Sequence, residues 1–183
     1  TLAITNCVLA GPGQLLGADA LNTNLPSPIL DHSSVISTNA GVFQSVGGGN
    51  YYLLASTNRD SGTTNIRSGL LTELRQKTTF PPVLWTNITI DSTNLLPTAA
   101  RDTDALDRGF HYDPLDYLVA RLDLSGTLLL TDGAAIGFYG TLGDGIYLTN
   151  GSTFISEGTA TALNRLVWYS TVQENTSWRG NEG

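Results

Sequence analysis

The chain has 183 residues, a formal net charge of −7, one Cys and no Met. Hydrophobic residues make up 40% of it and charged residues 14%, which excludes a disordered chain and a long coiled coil. The length predicts one domain, or one domain with an appendage. No run approaches the roughly 18 apolar residues of a membrane-spanning helix. Because the chain begins with Thr1 and lacks Met, we expect a mature chain or a segment cut from a longer protein.

The balance of charge excludes several classes of partner. Lys77 is the single lysine and the arginines are scattered, so no stripe of cations is present to neutralise closely spaced phosphates. The sequence therefore predicts no nucleic-acid partner, and a sequence pI of about 4.5 predicts no binding to anionic membranes. Cys7 has no second cysteine with which to form a disulfide, and one Cys with two His is too few for a zinc site.

The first residues predict a strand and a turn. Leu2, Ile4 and Thr5-Asn6 resemble the later segment Leu148–Asn150, as a coil cut from a longer stack would. Pro and Gly then separate short apolar pieces, which predicts loops and irregular strands. Residues 1–117 are therefore predicted to form an irregular β region.

One helix is predicted within this region, from about Ile66 to Lys77. Thr64 or Asn65 is its expected cap, and Pro81-Pro82 follows its end. Its predicted apolar face consists of Ile66, Leu70, Leu71 and Leu74. Since so short a helix is not stable alone, we expect it to dock on neighbouring strands or to close an open end of the sheet.

A repeat dominates residues 118–183. The segment Leu130–Ile136 recurs 18 residues later as Leu148–Phe154, and the same offset leads to Leu166, where a third apolar run begins. Apolar side chains alternate with polar ones before and within the first copy: Leu122, Leu124, Leu128 and Leu130. Because no copy can bury its apolar face alone, the repeat predicts stacked coils of a β-solenoid. Adjacent strands of a β-sandwich are the alternative.

Short motifs add a resemblance. The run Asn50–Thr63 resembles the closing segment of secreted bacterial right-handed parallel β-helix proteins. Ala55-Ser56-Thr57 departs from the Gly-Ser-Pro-like turn of those proteins, whereas Arg59–Gly62 keeps their Asp-Ala-Gly-like turn. The segments Arg101–Asp104 and Asp107–Asp113 are similar to their Asp-rich ending.

The region from roughly Asn50 to Gln173 also resembles large, repeat-rich surface proteins of planctomycete-like and verrucomicrobia-like bacteria. The resemblance implies an all-β fold, with coils of a right-handed parallel β-helix, an irregular β region and one short docked helix. It leaves function open, since those families include polysaccharide lyases, adhesins and surface modules.

Acidic residues are concentrated near residue 110. Asp102, Asp104, Asp107 and Asp113, with His111 and Asp116 nearby, are candidate calcium ligands, because calcium takes six to eight oxygen atoms and accepts irregular loops. The alternative is that these Asp residues begin turns and cap strands, with arginines neutralising them. No other metal or cofactor is predicted.

The sequence favours a chain that is not an enzyme. Glycoside hydrolysis needs two carboxylates, for which Asp102 and Asp104 are the candidate pair. The Asn-Thr-Asp, Asp-Asp, Gly-His-Gly and Arg-x-Lys motifs of polygalacturonase-like β-helices are absent, and neither His32 nor His111 suggests a catalytic triad. No catalytic residue is therefore predicted. Tyr112, Tyr117 and Trp168 are candidates for stacking on sugar rings, with core packing as the alternative.

These observations predict an extracellular structural or adhesive module of a larger surface protein. Low Lys with abundant Thr, Asn, Ser and Gly suits a secreted or cell-surface β protein. Since a solenoid has two open ends, the expected partners are copies of the chain or flanking coils of a parent protein, which would form a fibre. Polysaccharide is another expected partner. The alternatives are a carbohydrate-active enzyme, a carbohydrate-binding module, and a capsid or tail component of a virus.

Overall fold

A computed structural model describes residues 2–12, 27–54, 56–141 and 144–180. Over these ranges the chain forms fourteen strands, one α-helix and two short 3-10 turns. The prediction of a mostly β chain with one short helix is therefore confirmed. Residues 13–26 of the predicted irregular region, and Ala55 of the turn compared above, lie outside the described residues.

The strands in chain order are β1 (Ala3–Thr5), β2 (Val8–Ala10), β3 (Ile29–Asp31), β4 (Ser34–Ile36), β5 (Phe43–Val46), β6 (Gly49–Leu53), β7 (Val83–Ile90), β8 (Thr93–Leu95), β9 (Tyr117–Leu124), β10 (Thr127–Thr131), β11 (Ala135–Phe138), β12 (Gly145–Leu148), β13 (Thr153–Glu157) and β14 (Arg165–Trp168). The helix α1 is Ser68–Leu74, and the 3-10 turns are Ser56–Asn58 and Tyr169–Thr171.

The chain divides into two compact units. Unit 1 consists of Thr1–Gln44, Tyr51–Thr79 and Arg101–His111. Unit 2 consists of Ser45–Asn50, Phe80–Ala100 and Tyr112–Gly183. The boundary expected from sequence between residues 117 and 118 stays a prediction.

The sheets of unit 2 are parallel. β9 pairs with β7 on one side, and on the other side with β11 along its first half and β12 along its second half. β10 pairs in parallel with β8 and β13, and β11 pairs with β14. Because β-sandwiches are built from antiparallel sheets, these pairs argue against the sandwich alternative.

β9 is the central strand, and its two faces contact different apolar clusters. Tyr117 and Val119 lie in the same cluster as Leu122 and Leu124, although strict alternation would place these two pairs on opposite faces. The period of two therefore breaks between Val119 and Leu122. The other side chains of that cluster come mainly from β10 and β11: Leu128, Leu130, Ala134 and Ile136, with Leu95 of β8.

The second cluster lies on the opposite face of the first half of β9. Leu118 and Ala120 pack there against Leu115 and Tyr139. Tyr169, after β14, completes the cluster and donates a hydrogen bond of 2.6 Å to the Trp178 carbonyl. The first half of β9 is therefore buried on both faces.

The strand registers differ from the 18-residue repeat of the sequence. Leu130 pairs with Ser156, whereas Leu148 pairs with Leu124 in a different sheet. The pairs β1–β3, β2–β4 and β10–β13 all have an offset of 26 residues. The two sequence copies therefore share the chemistry of a strand end and its turn, and they are not neighbours in one sheet.

In unit 1, β1 pairs in parallel with β3 and β2 with β4. The two connecting turns correspond to each other, since Asn6 and His32 both adopt left-handed backbone conformations, with φ of 56° and 45°. Asn and His are among the non-glycine residues that adopt this conformation most often. The Asn6 N–H donates to the Asp31 carbonyl at 3.2 Å, which joins one turn to the other.

The helix α1 is shorter than predicted. Its N-cap residue is Arg67, which makes no capping hydrogen bond through its side chain, so the predicted cap at Thr64 or Asn65 is wrong. The Asn65 N–H instead donates to Thr63 Oγ1 at 3.1 Å, in a turn that precedes the helix. No residue of α1 is buried: Leu71 and Leu74 are half-buried and Leu70 is exposed.

We predict that Gly126→Ala destabilises the chain by about 1–3 kcal/mol. The added Cβ would overlap the Asp91 carbonyl oxygen and Ser92 Oγ, where the turns after β7 and β9 touch. Gly69→Ala is the control, since no atom lies within 4 Å of its Cβ position. A helical Ala in its place should stabilise by up to about 1 kcal/mol. Urea unfolding followed by circular dichroism measures both, and equal midpoints would contradict the prediction.

Candidate functional site

Two of the predicted calcium ligands are buried together in unit 1. Asp102 Oδ2 accepts a hydrogen bond from the Asp107 N–H at 3.0 Å and lies 2.7 Å from His111 Nε2. His111 Nδ1 lies 3.1 Å from the Gly109 carbonyl oxygen, and because a carbonyl only accepts, Nδ1 donates there. Asp102 and His111 thus fasten the turn that connects them.

The Asp107 carboxylate is also held by protein groups. Its Oδ1 accepts from the Asp60 N–H at 2.8 Å, and its Oδ2 accepts from the Thr79 hydroxyl. Arg59 Nη1 lies 3.8 Å from the same Oδ2 and donates to Thr79 Oγ1 at 3.0 Å. These bonds join three separate chain segments of unit 1, so the geometry of Asp107 is that of a structural carboxylate.

The other two predicted ligands lie elsewhere. Asp104 is exposed in unit 1, and Asp113 is exposed in unit 2. In the part of the chain that the structure describes, no group of three or more His, Cys, Asp or Glu is arranged to hold a metal ion. The geometry adds no support to calcium binding at Asp102, Asp104, Asp107 and Asp113, which stays a prediction. In the candidate carboxylate pair for glycoside hydrolysis, likewise, Asp102 is buried whereas Asp104 is exposed.

Sequence reasoning missed Asp60 as a member of this acidic group. Desolvation raises the pKa of Asp60, and the Asp104, Asp107 and Asp102 carboxylates raise it further, while Arg59 opposes them. Asp60 also has a left-handed backbone, with φ of 52°. The signal in the sequence was the Arg59–Gly62 turn, but nothing local indicated that it would lie beside the acidic segment.

Asp116 is fully buried in unit 2. Its Oδ1 accepts from the backbone N–H groups of Thr98 and Ala99 at 2.8 and 3.0 Å, and its Oδ2 accepts from the Ala135 N–H at 2.8 Å. Its own carbonyl accepts from the Val83 N–H at 2.9 Å. The carboxylate therefore joins the start of β9 to the loop after β8 and to the start of β11.

Two of the three predicted sugar-stacking residues are buried. Tyr112 is 2% exposed and its hydroxyl donates to Glu174 Oε2, while Tyr117 is 6% exposed and its hydroxyl donates to the Leu96 carbonyl. Both rings are therefore packed in the interior, and sugar stacking at Tyr112 and Tyr117 stays a prediction to which the geometry adds no support. Trp168, at 46% exposure, is accessible.

A different aromatic group is exposed in unit 1. Tyr51 lies between Phe43 and Phe110, with ring centroids 5.7 and 6.0 Å apart. Tyr51 is 46% exposed and Phe110 is 53% exposed. These residues are far apart in the sequence, so neither composition nor spacing indicated that they would meet.

The later edge of the unit 2 sheets exposes apolar side chains that continue the core. Ile90, Leu124 and Leu148 pair in register across β7, β9 and β12. Leu124 is fully buried, whereas Leu148 is 57% exposed. Leu166 on β14 is likewise 47% exposed beside its fully buried partner Ile136. Among the described strands none pairs with the outer edges of β12, β13 and β14.

Turn hydroxyl groups connect successive strands in this stack. Ser125 Oγ, just after β9, donates to the Ile90 carbonyl of β7 at 3.3 Å. Thr149 Oγ1, just after β12, donates to the Leu124 carbonyl of β9 at 2.9 Å. In both cases the residue that follows a strand donates to the carbonyl of the last residue of the neighbouring strand that comes earlier in the chain. We name this feature the hydroxyl ladder.

We predict that Asp107→Ala lowers the free energy of unfolding by about 3–5 kcal/mol, because it removes the buried acceptor of the Asp60 N–H and the Thr79 hydroxyl together with the carboxylate beside Arg59. The matched control is Asp104→Ala, which should change it by no more than about 0.5 kcal/mol. Chemical denaturation with and without calcium measures both. Similar losses for the two variants, seen only with calcium, would instead indicate a shared metal site.

We predict that Asp60→Asn stabilises the chain at neutral pH. The pKa of Asp60 is raised in the folded chain, so its contribution to stability is present in acid and is lost as the pH rises through that pKa. Asn keeps the left-handed backbone and removes the repulsion. Stability curves from pH 3 to 7 should converge in acid and diverge towards neutrality. Asp132→Asn, with φ of 57°, controls for the backbone, and parallel curves for Asp60→Asn would contradict the prediction.

The described residues contain no helix long and apolar enough to cross a membrane. The resemblance to bacterial β-helix and surface proteins stays a prediction, which rests on short sequence motifs alone. In comparisons with known proteins, no family model, curated protein or solved structure matches the chain.

Proposed function

We propose that unit 2 consists of coils of a right-handed parallel β-solenoid and that the chain is an extracellular structural or adhesive module of a larger surface protein. The observation that carries this proposal is the order of the parallel strands. β7, β9 and β12 follow one another in one sheet, and β8, β10 and β13 follow one another in a second. The first sheet gains β7, then β9, then β11 together with β12, while the second gains β8, then β10, then β13, so each proposed coil adds to both sheets.

The connections support the same architecture. Two-residue turns, Asp91-Ser92 and Ser125-Gly126, lead from the first sheet to the second in successive coils. The hydroxyl ladder bonds the end of each strand to the coil before it. Right-handed coiling follows from the general preference of parallel crossover connections. The short strands cannot bury their apolar side chains without a neighbouring coil, so the architecture itself favours extension into a rod.

A structural role follows from the surface that the coils leave open. Leu148 and Leu166 continue columns of buried side chains yet are about half exposed. An exposed, apolar strand edge without inward-pointing charge is a template for pairing with another strand. The same surface gives an adhesive module its contact with copies or with flanking coils of a parent protein.

A carbohydrate-binding module is the second candidate, and Tyr51 with Phe43 and Phe110 is the observation that favours it. Exposed aromatic rings are suited to packing against the apolar faces of sugar rings. This group is an additional candidate stacking surface beside the predicted Tyr112, Tyr117 and Trp168. Polysaccharide is accordingly the alternative partner.

We predict that the purified chain grows into larger species with concentration in sedimentation velocity, and that Leu148→Lys abolishes the growth, because the added charge would lie in the apolar column. Leu163→Lys is the matched control, since Leu163 is 67% exposed and lies outside the strands. Electron microscopy of the larger species should show rods.

A monomer at all concentrations would contradict self-stacking. A monomer that also binds polysaccharide, and loses that binding on Tyr51→Ala, would support the second candidate in its place. Growth that is equally lost in both Lys variants would show that the open edge is not the contact surface.

A further inference from the structure

We infer that the open edge of β12 takes β1 of a second copy as its next parallel strand, with Ile4 beside Leu148 and Thr5 beside Thr149. This inference rests on the proposed function, since it requires coils that stack. It adds the partner, the strand and the register of the contact.

The apolar column of β7, β9 and β12 ends at Leu148. Ile90 and Leu148 flank the fully buried Leu124 in the register of β7, β9 and β12. Leu148 lacks such a cover on its outer side and is 57% exposed. An aliphatic side chain at the end of a parallel strand would bury it as Leu148 itself buries Leu124.

The hydroxyl ladder can be continued beyond β12. Ser125 bonds to the Ile90 carbonyl and Thr149 to the Leu124 carbonyl, so the next position requires a hydroxyl group above the Leu148 carbonyl. The residue that supplies it must directly follow the aliphatic residue that covers Leu148. Ile4-Thr5 is such a pair, although Thr5 is the last residue of β1 whereas Ser125 and Thr149 follow their strands. The sequence Ile4-Thr5-Asn6 matches Leu148-Thr149-Asn150 in residue type.

The strands stack in the same direction in both units, from earlier to later in the chain. In unit 2 the hydroxyl group that follows the later strand donates a hydrogen bond to a carbonyl of the earlier strand. In unit 1 Ser33 Oγ, after β3, likewise donates to the Ile4 carbonyl of β1 at 3.1 Å. The later side of β1 is therefore taken by β3, and its earlier side is the one left without a partner among the described strands. The open side of β12 is its later side, so the two edges are complementary.

Length distinguishes β1 from β7, the earlier open strand of the sheet to which β12 belongs. β11 and then β14 follow the first half of β9, whereas only β12 follows its second half. The edge above β12 is therefore short and is bounded by β14. The eight-residue β7 would run into β14, whereas the three-residue β1 fits. Neither β1 nor β12 carries a charged residue that would oppose pairing.

The native Cys7 provides the test. The same stacking places β2 beside β13, and since Cys7 directly precedes β2 and Ser152 directly precedes β13, residue 7 of one copy lies near residue 152 of the next. Residues on neighbouring strands lie about 5 Å apart, within the range that a disulfide spans. In the full-length Ser152→Cys variant, mild oxidation should give disulfide-linked dimers and longer chains on non-reducing gels, and Cys7→Ser in the same variant should abolish them.

The matched control is Ser125→Cys, which places a cysteine in an exposed turn between two coils and should give no ladder of linked species with Cys7. Peptide mapping of the linked dimer should identify the 7–152 bond. Links that persist without Cys7 would indicate that two β12–β13 edges meet, and would overturn the inference. Growth in sedimentation velocity without a 7–152 link would overturn this register while the stacking module stands. A chain that stays monomeric and unlinked would overturn both.

Discussion

A carboxylate without exposed surface holds together the chain segments of unit 2. Asp116 accepts hydrogen bonds from three backbone N–H groups, those of Thr98, Ala99 and Ala135, and its own carbonyl accepts from Val83. A buried carboxylate is costly unless its oxygen atoms are bonded, and here each oxygen is. The starts of β7, β9 and β11 are thereby brought to one point. The three parallel strands are thus aligned at a common starting point.

The parallel order of the strands leaves one side of the stack open. An apolar side chain on a parallel strand is covered most fully when the sheet has a neighbouring strand on each side of it. Leu124 has both neighbours and is fully buried, whereas Leu148 has one and is 57% exposed. The open edge is thus a consequence of the architecture, and the proposed function uses it as a contact surface. The hydroxyl ladder gives that surface a direction, since each later turn bonds to the carbonyl of an earlier strand.

The candidate sites of the sequence were only partly brought together. Asp102 and Asp107 do meet, but Asp102 Oδ2 contacts His111 and the Asp107 N–H, and the Asp107 carboxylate accepts hydrogen bonds from Asp60 and Thr79. Asp104 and Asp113 stayed at the surface. Tyr112 and Tyr117 were plausible sugar-stacking rings by composition, yet their size made them core residues. The exposed aromatic group around Tyr51 could not be predicted, since its members come from distant segments.

From the sequence alone, the period-two alternation around Leu122–Leu130 determined strands with one buried face, and the spacing of Leu70, Leu71 and Leu74 determined the single helix. These are local properties, since each depends on side chains within a few residues. The tertiary structure alone decided which strands are neighbours, because parallel pairing joins distant residues, from Tyr117 with Ile136 to Thr93 with Leu128, and the 18-residue repeat records turn chemistry instead of pairing. It also decided which carboxylates and aromatic rings are buried, since burial depends on the segments that pack against them and not on their own sequence.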